Sequence, residues 1–163
     1  MKAIFFYIFV FVFFTTKAIG QNRILNGRIL DQFLVPIPTV KIQTQNALIS
    51  AETDFDGRFS ITIPNETEKL FIKWIGIEDI TIQLLNDCDN LEIIALDQGT
   101  YDFMSNRKVD RLRFKQFQKI PDLHRNAFQK GLFLSEKPCY RREFEAIKPE
   151  LDEIKRNRKK TSP

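Results

Sequence analysis

The stretch from Thr53 to Ile63, Thr-Asp-Phe-Asp-Gly-Arg-Phe-Ser-Ile-Thr-Ile, constrains this chain more than any other. A tight polar turn runs straight into an alternating strand. Asp56-Gly57 supplies the turn, because Gly takes positive φ without steric cost and a short Asp tolerates it. Phe59, Ile61 and Ile63 then share one face while Arg58, Ser60 and Thr62 share the other, the period of a half-buried strand. Pro64-Asn65 ends it.

The same period recurs from Ile24 to about Leu96. Leu25, Gly27 and Ile29 alternate with Asn26, Arg28 and Leu30, and Val40 and Ile42 with Lys41 and Gln43. Ile49, Ala51 and Thr53 suggest a third strand ahead of the Asp56-Gly57 turn. Lys69 to Ile75 is the most apolar, with Leu70, Ile72 and Trp74 assigned to one buried face. Ile80, Ile82 and Leu84 mark a sixth strand, and Leu91, Ile93 and Ala95 a seventh. Pro36 and Pro38 confine Asp31–Pro38 to an edge or loop. Seven short strands with turn signals about every ten residues predict a mainly β fold, a seven-stranded Greek-key sandwich of immunoglobulin-like or transthyretin-like type.

The chain opens with Lys2, an apolar run of about a dozen residues and Ala18-Ile19-Gly20 before Gln21, the pattern of a secretory signal peptide over residues 1–20. The run is short for a membrane span of roughly 20 residues, so no integral segment is expected after cleavage. Removing Lys2 and Lys17 lowers the net charge from +4 to about +2, a balance that gives no argument for nucleic acid. Cys88 and Cys139 leave two readings open. They form a disulfide closing a loop of about 50 residues, worth roughly 3–4 kcal/mol in the chain-entropy account, or they are two free thiols.

Composition shifts near Asp97, so residues 21–97 are assigned to the β domain and 98–163 to a helical C-terminal extension. Val109, Leu112, Gln116, Phe117 and Ile120 fall on one helical stripe. Pro121-Asp122 ends that helix and starts a second, Leu123 to Lys130, closed by Gly131. Pro149 opens a last helix, whose acids (Glu150, Asp152, Glu153) and terminal bases (Lys155, Arg156, Arg158, Lys159, Lys160) complement the helix dipole.

With these pieces in order, residues 24–96 resemble the carboxypeptidase regulatory-like domain, a transthyretin-like sandwich common in envelope proteins of Bacteroidetes-type bacteria. The matching residues are Gly27-Arg28-Ile29-Leu30-Asp31, Val35 to Ile42, Thr53 to Ile61 and Leu70 to Ile77. The family usually carries Gly where Thr39 stands and often Tyr where Ile77 stands. The resemblance implies a fold and an exported, periplasmic or envelope setting, and no activity of its own. Neither a peptidase domain nor a transporter barrel accompanies the stretch here.

Chemistry-bearing constellations are sparse, and no cofactor, metal or catalytic set is expected. A zinc peptidase needs about three ligands plus a base, and His124 is the chain's single histidine; a surface or packing role is its stronger reading. Cys139 with His124 as a thiol–imidazole pair lacks an oxyanion segment. Asp54, Asp56 and Gly57 open like a calcium loop, but a strand follows where further ligands belong. The Arg141-Arg142 pair and the basic run after Arg156 read as solvated helix ends before they read as an anionic-surface site. Asn65-Glu66-Thr67 reads as a turn.

The expectation is therefore an exported, non-enzymatic module that binds an envelope protein partner. Phe114, Phe128 and Phe133 are candidates for that contact, with packing of the tail onto the core as their alternative. A carbohydrate- or polymer-binding module and a regulatory piece of a carboxypeptidase are the alternative functions.

Overall fold

The computed structural model describes residues 21–147. The expected signal peptide and the expected last helix from Pro149, with Lys155–Lys160, lie outside the described residues. Within them the protein is mainly β, with seven strands: β1 (Asn22–Leu30), β2 (Lys41–Thr44), β3 (Ser50–Glu52), β4 (Arg58–Pro64), β5 (Lys69–Lys73), β6 (Ile80–Gln83) and β7 (Asn90–Ile94). Two helices follow, α1 (Asn106–Phe117) and α2 (Ile120–Gln129). The strands form a three-stranded sheet in the order β4-β1-β7 and a four-stranded sheet in the order β3-β2-β5-β6. β1 pairs antiparallel with β4 and parallel with β7.

Alternation places the core. Leu25, Ile29, Phe59, Ile61, Ile63, Leu91 and Ile93 from the first sheet meet Ile42, Leu70, Ile72, Ile80 and Ile82 from the second in one buried cluster. Each such side chain contributes about 1.5–3 kcal/mol on burial. Gly27 belongs to this packing. A Cβ there would meet the Phe59 ring and the Leu91 carbonyl oxygen. Gly57 takes φ +70° in the turn before β4, and the Asp54 Oδ1 accepts the Asp56 and Arg58 amides at 2.9 and 2.8 Å.

The extension does not stand apart. Leu30, Ile94 and Leu96, on the opposite face of the three-stranded sheet, join Ile120, Ala127 and Phe133 in a second core. That cover explains why both faces of β7 are buried. Arg113 on α1 reaches Glu78 between β5 and β6, with Nε–Oε1 at 2.7 Å and both side chains largely buried.

Trp74 corrects the sequence reading. β5 ends at Lys73, whose ladder partner Lys41 is the first residue of β2. Beyond it no strand lies opposite position 74, and the indole leaves the sheet, 38% exposed. Its Nε1–H donates to Thr39 Oγ1 at 2.9 Å. Thr39 takes φ +59°, the left-handed region that favours glycine.

Candidate functional site

The strand directions gather four connections at one end of the two sheets: residues 31–40, 53–57, 74–79 and 95–101. They are braced against one another. The Thr39 amide donates to the Thr53 carbonyl at 2.9 Å, the Gln98 amide to the Gly76 carbonyl at 2.8 Å, and Gln32 Nε2 to Asp97 Oδ2 at 2.6 Å. Asp31 Oδ1 accepts the Phe33 and Val35 amides, both at 2.8 Å, which fixes the tip of the first loop. On this frame stand Phe33, Val35, Phe55, Trp74 and Ile75, all exposed, Phe55 at 92% and Ile75 at 88%. Single exposed apolar residues are ordinary, whereas large contiguous apolar patches mark contact surfaces.

Beside this end lies a cavity of about 470 Å³ lined by Ile77, Glu78, Asp79, Tyr101, Arg113 and Glu145. Its two central charges, Glu78 and Arg113, neutralise each other. Burial, reinforced by the Glu78 charge and opposed by Arg113, raises the Tyr101 phenol above its usual pKa.

His124 is fully buried on α2, its ring centroid 4.8 Å from that of Phe133. Its Nδ1–H donates to the Glu136 carbonyl at 3.1 Å. Burial lowers its pKa against the pull of that carbonyl and the Glu92 charge. Cys139 is joined to Cys88 in a disulfide, so no thiol remains there for a thiol–imidazole pair. Asp54 spends an oxygen on two amides of its own turn, and the Asp56 carbonyl accepts Arg28 Nε at 3.0 Å. Among the described residues no three His, Cys, Asp or Glu side chains are grouped to hold a metal ion, and no helix is long and apolar enough to cross a membrane.

The three phenylalanines separate. Phe114 is half-exposed on α1 with its ring edge-on to Phe144 at 5.2 Å, and Phe128 is half-exposed on α2. Phe133 is only 2% exposed and packs in the second core, which removes it as a partner contact. Arg142 is likewise no solvated charge. Its guanidinium lies 5.6 Å from the Phe117 ring centre, donates to the Ile94 carbonyl at 2.9 Å, and burial lowers its pKa.

Residues 139–142 form an unforeseen element, an extended segment that closes the side of the body between β6 and β7. The Arg141 amide and carbonyl pair with Gln83 at 3.0 and 2.8 Å. Tyr140 enters the main core, its hydroxyl donating to the Glu92 carbonyl at 3.2 Å, and burial pushes its pKa up to about 12. The Cys139 sulfur lies 3.0 Å from the Asn90 carbonyl oxygen. The carbonyls of Asn90, Glu92 and Ile94 along the outer edge of β7 are thus all covered. The buried Glu92 carboxylate accepts the Leu134 and Ser135 amides, holding the approach to this segment. Compared with known protein families and with curated proteins, the chain matches none.

Proposed function

We propose that this chain is an exported, non-enzymatic β-sandwich of the carboxypeptidase regulatory-like type that binds a protein partner in the cell envelope through its loop end. The Greek-key and transthyretin-like description of the two sheets is part of the same proposal, supported by their shared core and by the strand order. The observation that carries the function is the group Phe33, Val35, Phe55, Trp74 and Ile75, held out on mutually hydrogen-bonded loops. Large apolar side chains on a rigid frame lose little entropy on binding, which suits a contact surface. The disulfide fits an oxidising compartment.

In-cell cross-linking of the tagged chain tests this against the double substitution Phe55→Ser, Ile75→Ser. One protein recovered reproducibly with the wild type and lost with the double variant, at unchanged melting temperature, is the expected result. Equal recovery with both overturns the loop-end reading. A second reading, carbohydrate or polymer binding, is favoured by one observation: Trp74 stands outside the strand with its indole fixed by Thr39, as a stacking platform would be. Retention on immobilised glycan, lost on Trp74→Ala, would select it.

A further inference from the structure

We propose that the side of the body opposite residues 139–142, the gap between β3 and β4, is an acceptor for an extended, basic strand of a partner protein. It is carried by the backbone, independently of the loop-end apolar group.

β3 and β4 are joined by a turn and then part into different sheets. The Asp54 amide still donates to the Arg58 carbonyl at 2.8 Å, and Arg58 donates back to Asp54 Oδ1. Past that point no backbone bond joins the two strands. In β4 the residues bonded to β1 are the odd ones, because the flanking contacts are Ile29 amide to Gly57 carbonyl and Asn65 amide to Gln21 carbonyl. The amides and carbonyls of Ser60 and Thr62 therefore point away from β1. In β3 the Thr44 amide to Ile49 carbonyl and Thr53 amide to Val40 carbonyl bonds set the same phase, so Ser50 and Glu52 point away from β2. All four residues are exposed, and their outward groups have no partner among the described residues. Arg58 and Pro64 bound this free edge, the first tied to Asp54 and the second with its carbonyl taken by Thr67 at 3.0 Å.

The molecule itself indicates what fills such a gap. On the opposite side the corresponding space between the sheets holds an extended segment that pairs with β6 and sends Tyr140 into the core. On the β3–β4 side the core is reached through the partly buried Ile49 and Ala51. The gap opens there into a cavity of about 720 Å³, lined by Leu48 and Ile49 on one wall and Pro64 on the other. Glu66 and Glu68 stand exposed on the rim with Lys69 as the neighbouring base, and no ion pair among the described residues uses these two carboxylates. A strand that adds to Ser60 and Thr62, places an apolar side chain in the cavity and carries Lys or Arg beside it meets all three features.

The probe is a synthetic peptide of alternating Val and Lys, compared with a Val/Glu peptide, against the isotope-labelled full chain. The Val/Lys peptide is expected to slow amide exchange at Ser60 and Thr62 and to leave β7 unchanged. Thr62→Pro deletes one outward donor and no bond to β1, so the fold is retained while binding weakens about tenfold, the worth of roughly one hydrogen bond. Unchanged exchange at both residues, equal affinity of Thr62→Pro, or equal binding of Val/Glu overturns the proposal. So does a concentration-dependent dimer abolished by Thr62→Pro, which would make a second copy the occupant. Thr62 lies away from the loop end, so this failure and failure of the loop-end reading are separately visible.

Discussion

At the scale of single residues, Gly27 shows how little room the sheet centre leaves. β1 is flanked by β4 and β7, and a methyl at position 27 would meet the Phe59 ring on one side and the Leu91 carbonyl on the other. The ring can tilt, but the backbone oxygen cannot move without disturbing the β1–β7 ladder. Gly27→Ala is therefore expected to cost about 1–3 kcal/mol, as overpacking does, read as a lower denaturation midpoint at unchanged slope. His124 makes a prediction of a different kind. It is the chain's single histidine, buried and held with its pKa below the ordinary 6.5. Below pH 6.5 the unfolded chain binds a proton that the folded protein refuses, so stability falls as pH falls and levels off once the folded state also protonates. The melting temperature should decline from about pH 7 to about pH 5.5, where no other side-chain type normally titrates. His124→Gln should melt lower throughout and show a flat profile across that window.

At the scale of elements, strands were legible and their closure was not. Period-two alternation names all seven strands because burial on one face writes itself into every second residue. It fails at the ends: Trp74 continues the alternation of Leu70 and Ile72, yet the ladder has already stopped at Lys73. The two helices were readable from the stripe through Val109 and from Pro121, within a few residues of their ends. Residues 139–142 carry no strand pattern, since one bridge and side-chain contacts to successive carbonyls need no alternation. For the same reason the burial of Phe133 and Arg142 was hidden, whereas Phe55 sits in a turn where no period assigns a side, and Ile75, read from the sequence as the end of a strand, lies beyond the last residue of β5. The disulfide anchors the closing segment at its start, joining residues 51 apart. Cys88→Ser with Cys139→Ser should cost about 2–4 kcal/mol and speed amide exchange at Gln83 and Arg141 while leaving β1–β4 protected. Uniform loss of protection across both sheets would instead mean that the segment and the body unfold together.

At the scale of the whole molecule, the composition break near Asp97 is not a boundary of independence. Residues 98–147 supply half of the second core through Ile120, Ala127 and Phe133, the plug Tyr140 for the first core, and the partner of Cys88. Without them Leu30, Ile94 and Leu96, each now essentially inaccessible, would face water at about 1.5–3 kcal/mol apiece. The β7 edge would present open carbonyls, and Glu78 would lose Arg113, leaving a carboxylate whose partner was built in. A small β body near the limit of self-sufficiency does not absorb losses of that size. Residues 21–97 alone are therefore expected to aggregate or to bind a hydrophobic dye, whereas residues 21–147 should be a cooperative monomer by size exclusion and thermal melting. A monomeric 21–97 fragment with a sharp transition would show that the extension is an addition to a finished fold. The same comparison bears on binding, because deleting the extension would expose a second pair of sheet edges and create adhesion unrelated to the native surfaces. Loss of a partner must accordingly be read from point substitutions at Phe55, Ile75 or Thr62, which leave both cores closed, rather than from truncation.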